Sequence, residues 1–208
     1  MNSYAAPGPA AMTWQRVPLV PEVTLLTADQ PWDLWDATGR DAPPFWAFPW
    51  AGGQALARYV LDNPGIVAGR SVLDVASGSG LVAIAAAQAG AAPVSAADID
   101  PDALAAIEGN ALANGVAVTA RDLDLSSADA AGAAVVLAAD VFYQRELAAV
   151  ALAFLRAAAA AGADVLCADP GRAFVPRDCL APVASREVPV LAAIEDNPVK
   201  TVTVYRLA

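Results

Sequence analysis

From residue 71 onward, short runs of four or five apolar residues alternate with longer segments of helical period. Ser71 to Val75, Val94 to Ala97, Val116 to Ala120, Val135 to Ala138 and Val165 to Ala168 read as strands covered on both faces. Between them, Leu81 to Ala89, Pro101 to Asn114 and Arg145 to Ala161 read as helices; Pro101 falls in a first turn, where its missing N–H costs nothing. Val188 to Leu191 and Val202 to Leu207 have no long helix between them, so they are expected to pair antiparallel at one edge. The pattern predicts an α/β fold with a mostly parallel sheet and helices on both faces.

Upstream the pattern is less regular. Val17 to Thr27 alternates loosely and suggests a short strand or hairpin. Residues 31–53 crowd Trp32, Trp35, Phe45, Trp46, Phe48 and Trp50 among prolines and glycines, which no single regular helix accommodates. This segment is expected to fold back as a hydrophobic lid, either completing the core or facing a ligand. A helix over Gln54 to Asp62, with Leu56, Tyr59 and Val60 on one face, ends at Asn63-Pro64-Gly65. Residues 1–12, rich in Pro, Ala and Gly, read as a disordered tail. The expected organisation is one domain over 13–208, with an N-terminal extension and lid over 13–65 and a core over 66–208.

The 208 residues carry a formal charge of −10, which disfavours a phosphate backbone as partner and suits basic protein or small-molecule substrates. There is no histidine. Ser-His-Asp and Cys-His chemistry are therefore excluded, and any general base is a carboxylate, tyrosine, lysine or water. Cys167 and Cys179 lack metal-ligand spacing, so no metal site is expected, and Cys167 reads as a core thiol. No signal peptide or membrane span is visible, which predicts a soluble cytoplasmic protein.

The first regular strand runs into Ala76-Ser77-Gly78-Ser79-Gly80, and small residues at 76, 78 and 80 let the turn pass close beneath a ligand. Its spacing differs from the dinucleotide G-x-G-x-x-G, because bulky Leu81 and Val82 follow at once. About 20 residues beyond that loop, Asp98 ends the second strand, where a carboxylate can accept both hydroxyls of a ribose. Asp122, after the third strand, can reach an adenine amino group. Each acid can also be a solvated loop residue or a cap, and Asp100 before Pro101 reads as a cap. Acids at three successive strand ends lie where open α/β sheets bind ligands.

With these motifs the chain resembles the seven-strand S-adenosylmethionine (SAM)-dependent methyltransferases: Asp74-x-Ala76-Ser77-Gly78-Ser79-Gly80, Asp98-Ile99-Asp100-Pro101, Asn110 and Asn114-Gly115 are similar to their first two motifs. Alanine stands at 76 where that family usually has glycine. After the fourth strand, Asp140-Val141-Phe142-Tyr143 resembles the Asp-x-x-Tyr of the protein-lysine branch rather than the Asn-Pro-Pro-Tyr of enzymes acting on planar nitrogens. Pro21-Glu22-Val23, the run from Pro44 to Gln54, and Ala168-Asp169-Pro170-Gly171-Arg172 through Pro176 look like the electron transfer flavoprotein β-subunit lysine methyltransferases and their bacterial relatives. Some of those relatives are described as nicotinamide N-methyltransferases.

The resemblance implies a Rossmann-like, seven-stranded, mostly parallel sheet with an antiparallel edge strand, SAM as cofactor, S-adenosylhomocysteine (SAH) as product, and no metal. It places Trp50 on the cofactor and Ala76, Ser77, Gly78, Ser79 and Gly80 around its amino-acid and ribose portion. Asp98 would hold the ribose, Asp122 or Leu123 would lie beside the adenine, and Asp74, Ile99 and Ala139 belong to the same site. Asp140 and Tyr143 would face the substrate nitrogen, although Asp140 can also be read as a cap on the helix opened by Arg145. Gln144 differs from many relatives, which carry an acid there. The implied substrate is a protein lysine, with the electron transfer flavoprotein β subunit as a candidate. A small-molecule amine and a SAM-binding module without catalysis are the alternatives. Nucleic acid and membrane are not expected partners.

Overall fold

The computed structural model describes residues 12–39, 43–190 and 197–208. The expected tail therefore lies outside the described residues up to position 11, and Met12 already belongs to a strand. Strands β1 (Met12–Val17) and β2 (Val20–Ala28) form an antiparallel hairpin, followed by helix α1 (Pro31–Thr38), a 3₁₀ turn at Phe45–Ala47 and helix α2 (Ala51–Asp62). Then β3 (Val72–Val75), α3 (Leu81–Gln88), β4 (Val94–Asp98), α4 (Pro101–Ala113), β5 (Thr119–Asp122), β6 (Val135–Ala139), α5 (Arg145–Ala160) and β7 (Asp164–Asp169) alternate, before β8 (Leu180–Pro189) and β9 (Val199–Leu207).

The main sheet has seven strands in the order β5-β4-β3-β6-β7-β9-β8. Every pair from β5 to β7 is parallel, and β9 runs antiparallel to both β7 and β8. The single reversed strand is thus inserted one place in from the edge. Period-two alternation divides the interior: Val72, Val135 and Leu137 face a core shared with α2, α3, α4 and the hairpin, whereas Leu73, Val75, Val136 and Ala138 face α5. This is the α/β class that the apolar runs predict, in the Rossmann-like form that the family resemblance implies.

The hairpin joins the first of these cores through Val17, Val20, Val23 and Leu25, all buried. Asn110 of α4 and Asn114, the residue that caps its C-terminus, fix it there. Asn110 Oδ1 accepts the Leu26 N–H at 2.9 Å while its amide donates to the Ser79 carbonyl at 2.8 Å, and Asn114 both accepts from and donates to the Thr24 backbone. One side chain therefore ties the N-terminal hairpin to the glycine-rich turn after β3.

Several boundaries differ from the sequence reading, β9 among them, which starts at Val199 rather than Val202. Helix α2 begins at Ala51 rather than Gln54, taking in both glycines; β5 begins at Thr119, with Val116 and Val118 packing from the preceding loop. Strand β8 starts at Leu180, far upstream of the expected Val188, and the expected end at Leu191 lies outside the described residues. It is an edge strand with largely exposed side chains, a bulge near Pro182 and a second proline, Pro189, at its last position, so it lacks an apolar run to announce it. Among the described residues no helix is long and apolar enough to cross a membrane.

Candidate functional site

The strand order reverses between β3 and β6, and the C-terminal ends of β3, β4 and β6 open into one cleft of about 570 Å³. Such a switch point is where open α/β sheets take ligands, and the volume falls within the roughly 300–1,000 Å³ of small-molecule sites.

The floor is the turn after β3. Ala76, Gly78 and Gly80 all adopt positive φ, at 49°, 56° and 82°. The left-handed conformation at 76 explains why glycine is usual there, and alanine holds it at some cost in strain. A Cβ on Gly78 would lie 3.7 Å from the Trp46 Cα, so the aromatic segment crosses directly over this turn. Gly80 instead approaches α4, where a Cβ would meet Ile107 at 3.4 Å.

Two carboxylates organise the turn. Asp74 is fully buried, accepts a short hydrogen bond from the Ser77 hydroxyl and a second from the Ala83 N–H at 3.2 Å. Burial pushes its carboxyl up to about 7, against the lowering effect of those two donors. Because the folded value lies above the unfolded one, Asp74 favours the fold fully below about pH 4, and that contribution is lost as pH rises to about 7. Denaturant unfolding of Asp74→Asn across this window is expected to lack a slope of on the order of 2–4 kcal/mol that the wild type shows. An identical pH dependence in both proteins would refute this.

Asp98 closes β4 and accepts the Gly78 N–H at 2.9 Å and the Asp100 N–H at 3.0 Å, one on each oxygen. Burial raises its carboxyl, with these backbone donors opposing. The residue lines the cleft, where a carboxylate can accept further hydrogen bonds. Asp100 is the N-cap of α4, accepting from the Asp102 N–H. Ile99, 69% exposed, stands at the rim between the two acids.

The aromatic segment forms one wall. Phe45, Trp46, Phe48 and Trp50 all line the cleft, with the Trp50 indole N–H bonded to the Phe45 carbonyl at 2.7 Å. Phe45 lies between Trp50 and Tyr143, its ring centroid 5.8 and 5.5 Å from theirs. Burial raises the Tyr143 hydroxyl and the nearby Asp98 charge adds to it.

Asp140 lines the cleft after β6, at φ 58°, a left-handed conformation for a non-glycine residue. Its Oδ2 accepts the Gly53 N–H of the first turn of α2 at 2.9 Å, and its Oδ1 meets Arg172 Nη1 at 2.5 Å. Asp140 thus serves α2, whose own N-cap residue Trp50 makes no side-chain cap; the cap reading for α5 does not apply, since Gln144 holds that place. A Cβ on Gly52 would fall 2.5 Å from Asp140 Oδ2 and 2.8 Å from the Ala168 carbonyl, which accounts for glycine inside a helix. Burial raises the Asp140 carboxyl and Arg172 opposes it.

Of the residues singled out in the sequence, Trp50, Asp74, Ala76, Ser77, Gly78, Ser79, Asp98, Ile99, Ala139, Asp140 and Tyr143 line this one cleft. Gly80 sits behind it against α4. Asp122 is exposed at the end of β5 and Leu123 is buried beside it, and neither lines the cleft. Arg172 lines the cleft and was missed by sequence reasoning. Its only signal was Asp169-Pro170-Gly171-Arg172 directly after a strand, where two acids and a base on adjacent strand ends can form a buried pair. Among the described residues no cluster of acids and cysteines is arranged to hold a metal ion.

The family model described as ribosomal protein L11 methyltransferase (PrmA) matches residues 54–162. A Xenopus laevis protein named electron transfer flavoprotein beta subunit lysine methyltransferase is 39% identical over 165 residues, covering 75% of this chain and 65% of that protein. The Homo sapiens protein of the same name is 55% identical over 75 residues, covering 36% and 27%. The matched part of the chain thus spans less than two thirds of the length of these curated relatives. The crystal structure of magnesium protoporphyrin IX methyltransferase from Synechocystis with bound SAM superposes with a TM-score of 0.55 at 15% identity, over 75% of this chain and 78% of that one, a likeness of fold. The seven-stranded architecture, the glycine-rich turn at its switch point and the match over more than half its length place this chain in the SAM-dependent methyltransferase family described as ribosomal protein L11 methyltransferase (PrmA), to which the electron transfer flavoprotein β-subunit lysine methyltransferases are related.

Proposed function

We propose that the chain transfers the methyl group of SAM to a nitrogen, and that this nitrogen is the side-chain amine of a protein lysine. The observation that carries the reading is the single cleft that gathers the glycine-rich turn, Asp98, the aromatic wall and Asp140 with Tyr143. The relatives named as electron transfer flavoprotein β-subunit lysine methyltransferases support a lysine acceptor, and make that β subunit the first protein to try.

The residues fit SAM. Asp98 retains acceptor capacity for a ribose diol, the turn from Ala76 to Ser79 leaves room beneath its amino-acid portion, and Ile99 offers an apolar cover for a base at the rim. In the same reading Trp50 and Ala139 form the walls on either side, and Asp74 holds the turn from behind. SAM supplies an activated methyl group on its sulfonium.

The chain's part is to align an amine, exclude water and steady the positive charge that moves onto nitrogen. The aromatic wall of Phe45, Trp50 and Tyr143 excludes water, and Asp140 faces the cleft from the opposite strand end. A lysine ammonium must first lose a proton, since its ordinary pKa is about 10.4. Activity is therefore expected to rise toward alkaline pH.

The aromatic lining also favours a second reading, a small planar amine as acceptor. Incubating host lysate with tritiated SAM, with and without the protein, separates the two. The lysine reading predicts enzyme-dependent label in protein, recovered as methyl-lysine. Label confined to the small-molecule fraction would replace it with the second reading. Binding of SAM without transfer to either fraction would leave a binding module.

A further inference from the structure

The side chain of Arg172 enters the cleft from the loop after β7 and lies between two acids. Its Nη1 is 2.5 Å from Asp140 Oδ1 and 3.3 Å from Asp169 Oδ2. Asp169 has no solvent exposure and its Oδ1 accepts the Gly171 and Arg172 N–H groups, both at 2.7 Å, so it is a fixed anchor. Asp140 is 13% exposed, and its other oxygen is bound to the N-terminus of α2. Two carboxylates share one guanidinium, which leaves one net negative charge in a largely desolvated cluster at the mouth of β6.

We propose that Arg172 is a positioning residue of this site: anchored by Asp169, it holds the Asp140 carboxylate ionised and turned toward the place where a cation develops on the acceptor nitrogen. The inference rests on the cleft being a SAM-dependent methyl-transfer site. Without the guanidinium, burial and the neighbouring Asp169 would act on Asp140 unopposed, which favours its protonated form. Asp140 would then lose the charge that steadies the cation. Burial opposes the Arg172 charge too, but Asp140 and Asp169 outweigh it. The other ionisable groups that line the cleft with Asp140 and Arg172 are Asp74, Asp98, Asp100 and Tyr143, none of them a cation.

The test needs no acceptor. Sinefungin is a SAM analogue in which a carbon replaces the sulfur and a protonated amine replaces the transferable methyl group, and SAH is neutral at that point. The ratio of their affinities, measured by calorimetry, reads the charge at the transfer position. The wild type is expected to prefer sinefungin with little pH dependence between about pH 6 and about pH 8. Arg172→Gln should keep SAH affinity within about threefold, lose about tenfold of the sinefungin preference near pH 7, and regain it as pH rises. Arg172→Met replaces it if the glutamine variant does not fold, and Arg172→Lys should retain the flat profile. A folded Gln or Met variant with the wild-type preference overturns the proposal. So does a loss of SAH and sinefungin affinity in equal proportion, which a purely structural role would give. A wild type that binds SAH without preferring sinefungin overturns it as well and leaves the cofactor site standing, whereas a wild type that does not bind SAH defeats the methyltransferase reading itself.

Discussion

Asp140→Asn is expected to lower methyl-transfer turnover by about 100-fold or more, the scale of a lost electrostatic stabiliser, while SAH affinity changes by less than about threefold. The asparagine retains an acceptor for the Gly53 N–H, so the entry into α2 survives. What disappears is the charge opposite Arg172. Removing one member of a buried pair also carries a stability cost, here about 1–3 kcal/mol because Asp169 still holds the guanidinium. Turnover and stability must therefore be measured together, by initial rates on a labelled acceptor and by denaturant unfolding. A folded Asp140→Asn protein with near wild-type turnover would remove Asp140 from the transfer step and favour the small-molecule reading.

The second large effect is on cofactor affinity. Asp98→Ala is expected to weaken SAH binding by about 1.5–3 kcal/mol through lost charge-assisted hydrogen bonds. The same carboxylate holds the Gly78 and Asp100 amides, so the alanine also loosens the turn that forms the floor. Asp98→Asn, which retains one acceptor oxygen, should lose less. Calorimetry distinguishes these outcomes, and unchanged affinity in a folded Asp98→Ala protein would mean that the ribose is held elsewhere.

Much of this site could be read from one-dimensional pattern because it is built from strand ends. The apolar runs at Val72 to Val75, Val94 to Ala97 and Val135 to Ala138 locate β3, β4 and β6, and in an open α/β sheet the first one or two residues after each run reach the crevice. Asp98 and Asp140 follow from that alone, as does the small-residue turn between β3 and α3. The glycine family preference at 76 also acquires a cause, since Ala76 occupies a positive φ.

What was not legible depends on contacts between distant segments. Nothing near Gly52 announces that its hydrogen faces Asp140, 88 positions away, so the first turn of α2 looked like a loop. Asn110 and Asn114 matched a motif, but their task of holding β2 by its backbone appears only once the hairpin is docked. Arg172 lay within a recognised motif without an assignable role, because its partner Asp140 comes from another strand. Asp122 was placed by the same strand-end rule that located Asp98, yet β5 is the edge of the sheet and its end is exposed beyond the cleft. Strand β8 carries edge-strand chemistry rather than an apolar run, and pattern reading found only its last residues.

That SAM binds in the cleft at the switch point between β3 and β6 is tested most directly by hydrogen exchange with and without saturating SAH. Protection is expected in the segments that line the cleft, residues 43–53, 76–80, 98–100 and 139–143, with the edge strands β8 and β5 unaffected. Exchange at those four segments that is indifferent to bound SAH, or protection concentrated on another face of the sheet, would contradict it.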